Sequence, residues 1–207
     1  MTWTFLVLYG LCAVLHLIFC LLPNGRKWQN FTKVFLMPLL LLAVIWADGP
    51  ALVKAALFLG WLGDVFLLSP DKKAFFLAGL VSFLAGHACY IPALFSMRRL
   101  SLPFLLLLAA GMIAVGILLY LTIRPSLPGD MKLPGIAYLT VILAMAWSAF
   151  STGQPLLLLG AASFVVSDYT LARRLFVRQH WYSDFAVMLT YLLAQFLLTA
   201  GLCGIFG

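Results

Sequence analysis

The fold class this sequence predicts is all-α: a polytopic integral membrane protein built as a bundle of transmembrane helices. Three observations predict it. Residues are 65% hydrophobic and only 9% charged, with a mean hydropathy of +1.11, and a water-soluble domain cannot hide that much apolar surface. Breaks rich in Pro, Gly and charge divide the chain into apolar runs of spanning length. The basic residues concentrate in alternate breaks, as the positive-inside rule requires. With no linker or composition shift, residues 1–207 read as a single transmembrane domain.

Eight spans are expected. The first, 3–22, lacks a basic leader and a small-residue cleavage site, so it reads as a retained helix rather than a signal peptide. The second, 32–47, lies between "PNGRKWQN" and "DGP" and is close to the roughly 17-residue lower limit for a span. The third and fourth, 51–69 and 74–95, are separated by Pro70 and the charged "DKK"; the fifth, 101–123, ends at "RPSLPGD". The sixth and seventh, 132–150 and 154–175, meet at "STGQP", where Gly153 and Pro155 favour a tight turn without charge. The eighth, 182–206, follows the basic "RRLFVRQH".

Loop charge then orients the bundle. Arg26, Lys27, Lys33, Lys72, Lys73, Arg124, Lys132, Arg173, Arg174 and Arg178 follow odd-numbered spans, against Lys54, Arg98 and Arg99 on the other side. That bias puts the odd-numbered loops in the cytoplasm and both termini outside, and it suits a bacterial cytoplasmic (inner) membrane. The net charge of +7 is spent on topology, and no basic stretch with interleaved aromatics suggests nucleic acid. Cys12, Cys20, Cys89 and Cys203 lie in apolar segments without CxxC spacing and read as small buried hydrophobes.

All six acidic residues are aspartates. Asp48, Asp71, Asp130 and Asp184 fall in loops or at helix ends, where solvent accounts for them. Asp64, in "GWLGDVFLL", and Asp168, in "ASFVVSDYTLA", fall inside helices. A carboxylate at a helix centre costs on the order of 2.5–3.5 kcal/mol on insertion, so each should face the protein interior or a wet cavity. Asp64 is five residues from the expected end of its helix and Asp168 seven. At 1.5 Å per residue both lie roughly 8–11 Å inside the cytoplasmic boundary, so one polar pocket facing the cytoplasm can hold both.

Other polar side chains fall at similar depth. Lys33 is expected to open the second helix, Tyr138 lies about two turns into the sixth, and Ser167 neighbours Asp168. Tyr191 and Gln195 are four apart on one face of the eighth. The plain alternatives are interfacial tyrosines, a topological lysine, and a structural Lys33–Asp64 ion pair. His16, His87 and His180 stand alone in their segments, without metal-ligand spacing. No metal or other cofactor is therefore expected. His87 and Tyr90, in "GHACYIPAL", are assigned a supporting role.

"TKVFLMPLL" (32–40), "GWLGDVFLL", "FLAGLVSFLAGHACYIPAL" (76–94), "GAASFVVSDYTLA" (160–172) and the Tyr191–Gln195 pair occur in order over most of the chain. Together they resemble the YhhN-like lysoplasmalogenases, a family of eight-helix membrane proteins. The departure is Val34, where family members are expected to carry proline. The resemblance implies cleavage of the vinyl ether bond of a lysophospholipid, a lysoplasmalogen, to a fatty aldehyde and glycerophospho-ethanolamine or -choline. It implies no metal.

That reaction needs an acid to protonate the alkene carbon and a carboxylate to stabilise the resulting oxocarbenium and activate water. Glycosidases meet a closely related demand with two carboxyl groups. Asp64 and Asp168 are accordingly the expected catalytic pair, with a lean to Asp168 as acid. Lys33, Tyr138, Ser167, Tyr191 and Gln195 are the expected substrate-binding residues. The competing reading is a transporter or channel in which the same aspartates bind cations or relay protons, but the sequence has no convincing inverted repeat and, apart from Gly60 and Gly63, no Gly/Pro break around either aspartate.

Overall fold

The computed structural model describes residues 1–69 and 72–205. The expected loop position of Asp71 and the expected helix end at residue 206 lie outside them. Among the described residues there are eight α-helices and no strand: α1 (Thr2–Leu21), α2 (Arg26–Trp46), α3 (Ala51–Phe66), α4 (Lys73–Phe95), α5 (Leu102–Ile123), α6 (Lys132–Phe150), α7 (Pro155–Phe176) and α8 (Ser183–Leu202). Seven are long and apolar enough to cross a membrane; α3, with 16 residues, is shorter than the others. The chain forms two compact units, one of Met1–Ala93 with the C-terminal residues from Thr199, the other of Leu94–Leu198.

Three helix ends differ from expectation, each for a local reason. The second helix begins at Arg26 rather than residue 32, because α1 turns into it through Gly25. A Cβ at Gly25 would lie 2.0 Å from the Phe19 carbonyl oxygen, so only glycine makes this approach. The polar first turns are helical because Gln29 Nε2 donates to the Phe19 carbonyl at 2.9 Å, a second bond to an oxygen that also accepts from the Leu22 amide at 3.3 Å, and Trp28 stacks on Phe19. Lys33 therefore does not open α2; it lies seven residues inside it, roughly 10 Å along the axis. α3 ends at Phe66 rather than residue 69, because Leu68 and Ser69 bond back to Val65 and Phe66 and tighten the chain out of the α-helix. α8 ends at Leu202: Gly204 takes φ +60° and the Ile205 amide reaches the Ala200 carbonyl at 3.1 Å, a Schellman stop.

In the first unit α1, α2 and α3 pack in sequence. Pro38 inside α2 has no N–H to offer the Val34 carbonyl four residues back, and in lipid an open carbonyl is costly. Trp61 of α3 supplies the missing donor, its indole Nε1–H reaching the Val34 oxygen at 3.0 Å. Trp61→Phe is expected to destabilise the protein by about 1–3 kcal/mol, the cost of a buried acceptor left unmet, measured by thermal unfolding in detergent. An unchanged melting temperature would mean the bond carries nothing.

α3 and α4 approach closely through glycine, the small-residue packing that membrane helices favour. A Cβ on Gly63 would sit 2.7 Å from the Phe83 ring, and one on Gly86 3.2 Å from the Ala56 carbonyl oxygen. Gly63→Val should therefore cost about 1–3 kcal/mol through overpacking, and it should disturb the adjacent Asp64. A well-folded, fully stable variant would contradict that packing.

In the second unit Trp147 of α6 donates its indole N–H to the Leu105 carbonyl of α5 at 3.0 Å and stacks on Phe95. Gly160 lets α7 meet α8: a Cβ there would be 3.0 Å from the Leu198 backbone nitrogen. Along α5, Leu102, Phe104, Leu106, Leu107, Ile113 and Leu118 point outward and are more than half exposed, as side chains facing hydrocarbon should be.

Candidate active site

Asp64 lies near the C-terminal end of α3 with its side chain 3% exposed, and Lys33 of α2 places its Nζ 3.1 Å from Oδ1. The antiparallel run of α2 and α3 explains the meeting: Lys33 is two turns into α2 and Asp64 two residues before the end of α3. The charge of a carboxylate buried among apolar helices is compensated here by an ammonium whose aliphatic stem is shielded and whose side chain is only 18% exposed. Tyr9 of α1, itself buried, lies within electrostatic reach of Asp64 and of Tyr90 on α4. His87 and Tyr90 are both buried, three apart on α4.

Next to Lys33 in sequence, Thr32 is buried and receives His16 of α1: His16 Nδ1 and Thr32 Oγ1 are 2.7 Å apart. Tyr9 and His16 are seven residues apart and so share one face of α1. That i, i+7 spacing of a phenol and an imidazole along an apolar helix is a signal the sequence carries. The first unit thus assembles Tyr9, His16, Thr32, Lys33 and Asp64 from three helices.

In the second unit Asp168 of α7 is half-buried, and the Tyr138 hydroxyl of α6 donates to its Oδ2 at 2.6 Å. The bond fixes Oδ2 and leaves Oδ1 as the carboxyl oxygen that Tyr138 does not engage. Tyr169, next in sequence, shares a 3.0 Å hydrogen bond with Thr122 of α5 and lies under the Arg173 guanidinium. Because the Thr122 hydroxyl already donates to the Leu119 carbonyl at 2.7 Å, Tyr169 is the donor.

The remaining expected site residues are buried at α7 and α8. Ser167 donates its hydroxyl to the Val187 carbonyl at 3.0 Å, which ties α7 to α8. Gln195 Nε2 donates to the Tyr191 hydroxyl at 3.4 Å, and the Tyr191 ring meets Phe164 edge-on. The structure therefore brings Lys33 to Asp64, Tyr138 to Asp168 and Gln195 to Tyr191. Counting from the observed helix ends, Asp64 is two residues in and Asp168 eight, so the equal depth expected from the sequence does not follow from helix ends. Among the described residues no group of three or more His, Cys, Asp or Glu side chains is placed to hold a metal ion.

Comparison with known proteins supplies the context. The chain is 32% identical to lysoplasmalogenase TMEM86B of Homo sapiens over 190 residues, covering 87% of this chain and 79% of that protein. It is 32% identical to lysoplasmalogenase TMEM86B of Sus scrofa over 200 residues, 91% of this chain and 81% of that one. Lysoplasmalogenase TMEM86A of Bos taurus is 33% identical over 150 residues, 66% of this chain and 59% of that protein. No solved structure matches. The profile of the YhhN family matches residues 28–202, which include Lys33, Asp64, Tyr138, Asp168 and Tyr191, and the chain belongs to that family.

Proposed function

We propose that this protein is a membrane hydrolase that cleaves the vinyl ether bond of lysoplasmalogens, releasing a fatty aldehyde and glycerophospho-ethanolamine or -choline. The observation that carries the reading is the 32% identity, across 87% of the chain, to a protein named a lysoplasmalogenase. The site chemistry supports it: two intramembrane carboxyl groups, each held by a specific partner on another helix, while the other acids among the described residues, Asp48, Asp130 and Asp184, lie outside the helix interiors.

In this mechanism Asp168 is the acid. Tyr138 fixes its Oδ2, and Oδ1 delivers a proton to the alkene carbon remote from the ether oxygen. The adjacent carbon becomes an oxocarbenium, which the Asp64 carboxylate stabilises. Water adds to that carbon, its proton passing to a carboxylate, and gives a hemiacetal. The hemiacetal then collapses: the carbon–oxygen bond to glycerol breaks, the glycerol oxygen takes a proton, and the aldehyde forms. One water is consumed and the acid is restored. Lys33, Tyr138, Ser167, Tyr191 and Gln195 bind the substrate, with His87 and Tyr90 in support. We further assign eight crossings with both termini outside, a site mouth on the cytoplasmic side, and a bacterial cytoplasmic membrane. α3, at 16 residues, reaches the boundary with its flanking turns.

The test is aldehyde release from lysoplasmenyl-ethanolamine by the purified protein, with and without chelator. Release insensitive to chelator is expected. No release from either headgroup form would end the reading, and chelator-sensitive release would replace its carboxyl mechanism with a metal-dependent one.

A further inference from the structure

His16 is 2% exposed, yet the catalytic scheme above does not use it, and its ring is held in one state by the bonds around it. Thr32 Oγ1 lies 2.8 Å from the Trp28 carbonyl oxygen and 3.2 Å from that of Gln29, so its single hydrogen is committed to the backbone of α2. The 2.7 Å contact between Thr32 Oγ1 and His16 Nδ1 must then be made by the ring: Nδ1 carries the hydrogen and donates it. A neutral ring protonated at Nδ1 presents a bare lone pair at Nε2. That atom is buried and has no hydrogen-bond partner among the described residues. A histidine that served packing alone would have both nitrogens met or would be replaced by an apolar ring.

The surroundings say which partner is missing. His16 lies within electrostatic reach of Lys33, the residue after its own anchor Thr32, and Lys33 ion-pairs with Asp64 at 3.1 Å. Tyr9, on the same face of α1, reaches Asp64 as well. The open acceptor therefore belongs to the same polar core as the Asp64 carboxylate. An acceptor of this kind takes an N–H or O–H donor, and hydrolysis of a lysolipid brings O–H groups.

We infer that His16 Nε2 is a built acceptor for an O–H group brought to the Lys33–Asp64 core during turnover. The inference rests on the hydrolase reading above and deepens it. Two hydroxyls of that reaction have the required chemistry: the hydrolytic water, and the free glycerol hydroxyl that distinguishes a lysolipid from a diradyl lipid. His16 is thus a residue that positions water or selects substrate.

The two short amides separate its halves. In His16→Asn the side-chain amide can keep the donor to Thr32 but removes the acceptor at the Nε2 position; in His16→Gln the amide reaches that position. His16→Asn should lower kcat/KM roughly tenfold, the value of one hydrogen bond of about 1.4 kcal/mol, with its melting temperature retained. His16→Gln should recover part of the loss. Both are assayed on lysoplasmenyl-ethanolamine and on its 2-O-methyl analogue. A fall in kcat with both substrates identifies water. A loss confined to the free-hydroxyl substrate identifies the glycerol hydroxyl. Unchanged turnover with both would overturn the inference while leaving the hydrolase reading intact. A readout independent of activity and of the variants is the 15N spectrum of histidine-labelled wild-type protein. A His16 ring with hydrogen on Nδ1 and an accepting Nε2 supports the assignment, and a ring carrying hydrogen on Nε2 refutes it.

Discussion

Asp64→Asn and Asp168→Asn are each expected to reduce aldehyde release by about 10²–10⁴-fold, the usual contribution of a positioned acid or base. Asparagine keeps the size and much of the hydrogen bonding of aspartate, but it neither delivers a proton nor carries a negative charge. The Tyr138–Asp168 bond survives the exchange, since the amide oxygen still accepts from the phenol. Loss of activity with retained folding would thus report chemistry rather than collapse. The decisive quantity is the single-turnover rate at saturating lysoplasmenyl lipid. Two variants with wild-type rates would remove the carboxyl pair from the mechanism.

Lys33→Met carries the largest expected effect on stability. It leaves the buried Asp64 carboxylate without its ammonium, and breaking one side of a buried ion pair costs about 3–5 kcal/mol. Removing both charges is a different experiment. Lys33→Met combined with Asp64→Leu places two apolar side chains where a pair stood, and it should regain most of that stability, because the desolvation cost of both charges disappears with them. The double variant should remain inactive. Unfolding in detergent, followed thermally for the wild type, both single variants and the double variant, closes the cycle. If Lys33→Met unfolds at the wild-type temperature, the lysine is not what compensates Asp64. If the double variant recovers stability and activity together, the pair is structural and the chemistry lies elsewhere.

Much of this protein is legible along the chain, and the physical reason is locality. Apolar composition and run length are properties of contiguous residues, so the all-helical class and the membrane-spanning character follow without three-dimensional knowledge. The breaks at "DGP" and "STGQP" are equally local, since proline and glycine act on their own backbone. Helix starts read from hydropathy were less secure. The first turns of α2 are polar, and a helix at a membrane edge needs hydrogen bonds rather than apolar side chains, so hydropathy alone places Arg26–Phe31 outside the helix. Lys33 shifts with that boundary, from the helix opening to its second turn.

The intramembrane aspartates could be singled out from sequence because their cost is a property of the residue and its segment. Of their partners, Lys33 was open to the sequence only as one alternative for Asp64, and the Tyr138–Asp168 bond was not. Which side chain meets which depends on the rotation of each helix and on where its ends fall, and one residue of register turns a side chain by about 100°. Only the tertiary structure therefore decided that Lys33 meets Asp64, that Tyr138 donates to Asp168, and that the Ser167 hydroxyl is committed to the Val187 carbonyl. It alone decided that Trp61 answers the carbonyl freed by Pro38, and that His16 is locked by Thr32 with Nε2 open. By itself, the sequence determined a helical membrane protein with two costly acids inside it. Packing decided how those acids are held, because hydrogen bonds and ion pairs between helices are made across space and leave no periodic trace along the chain.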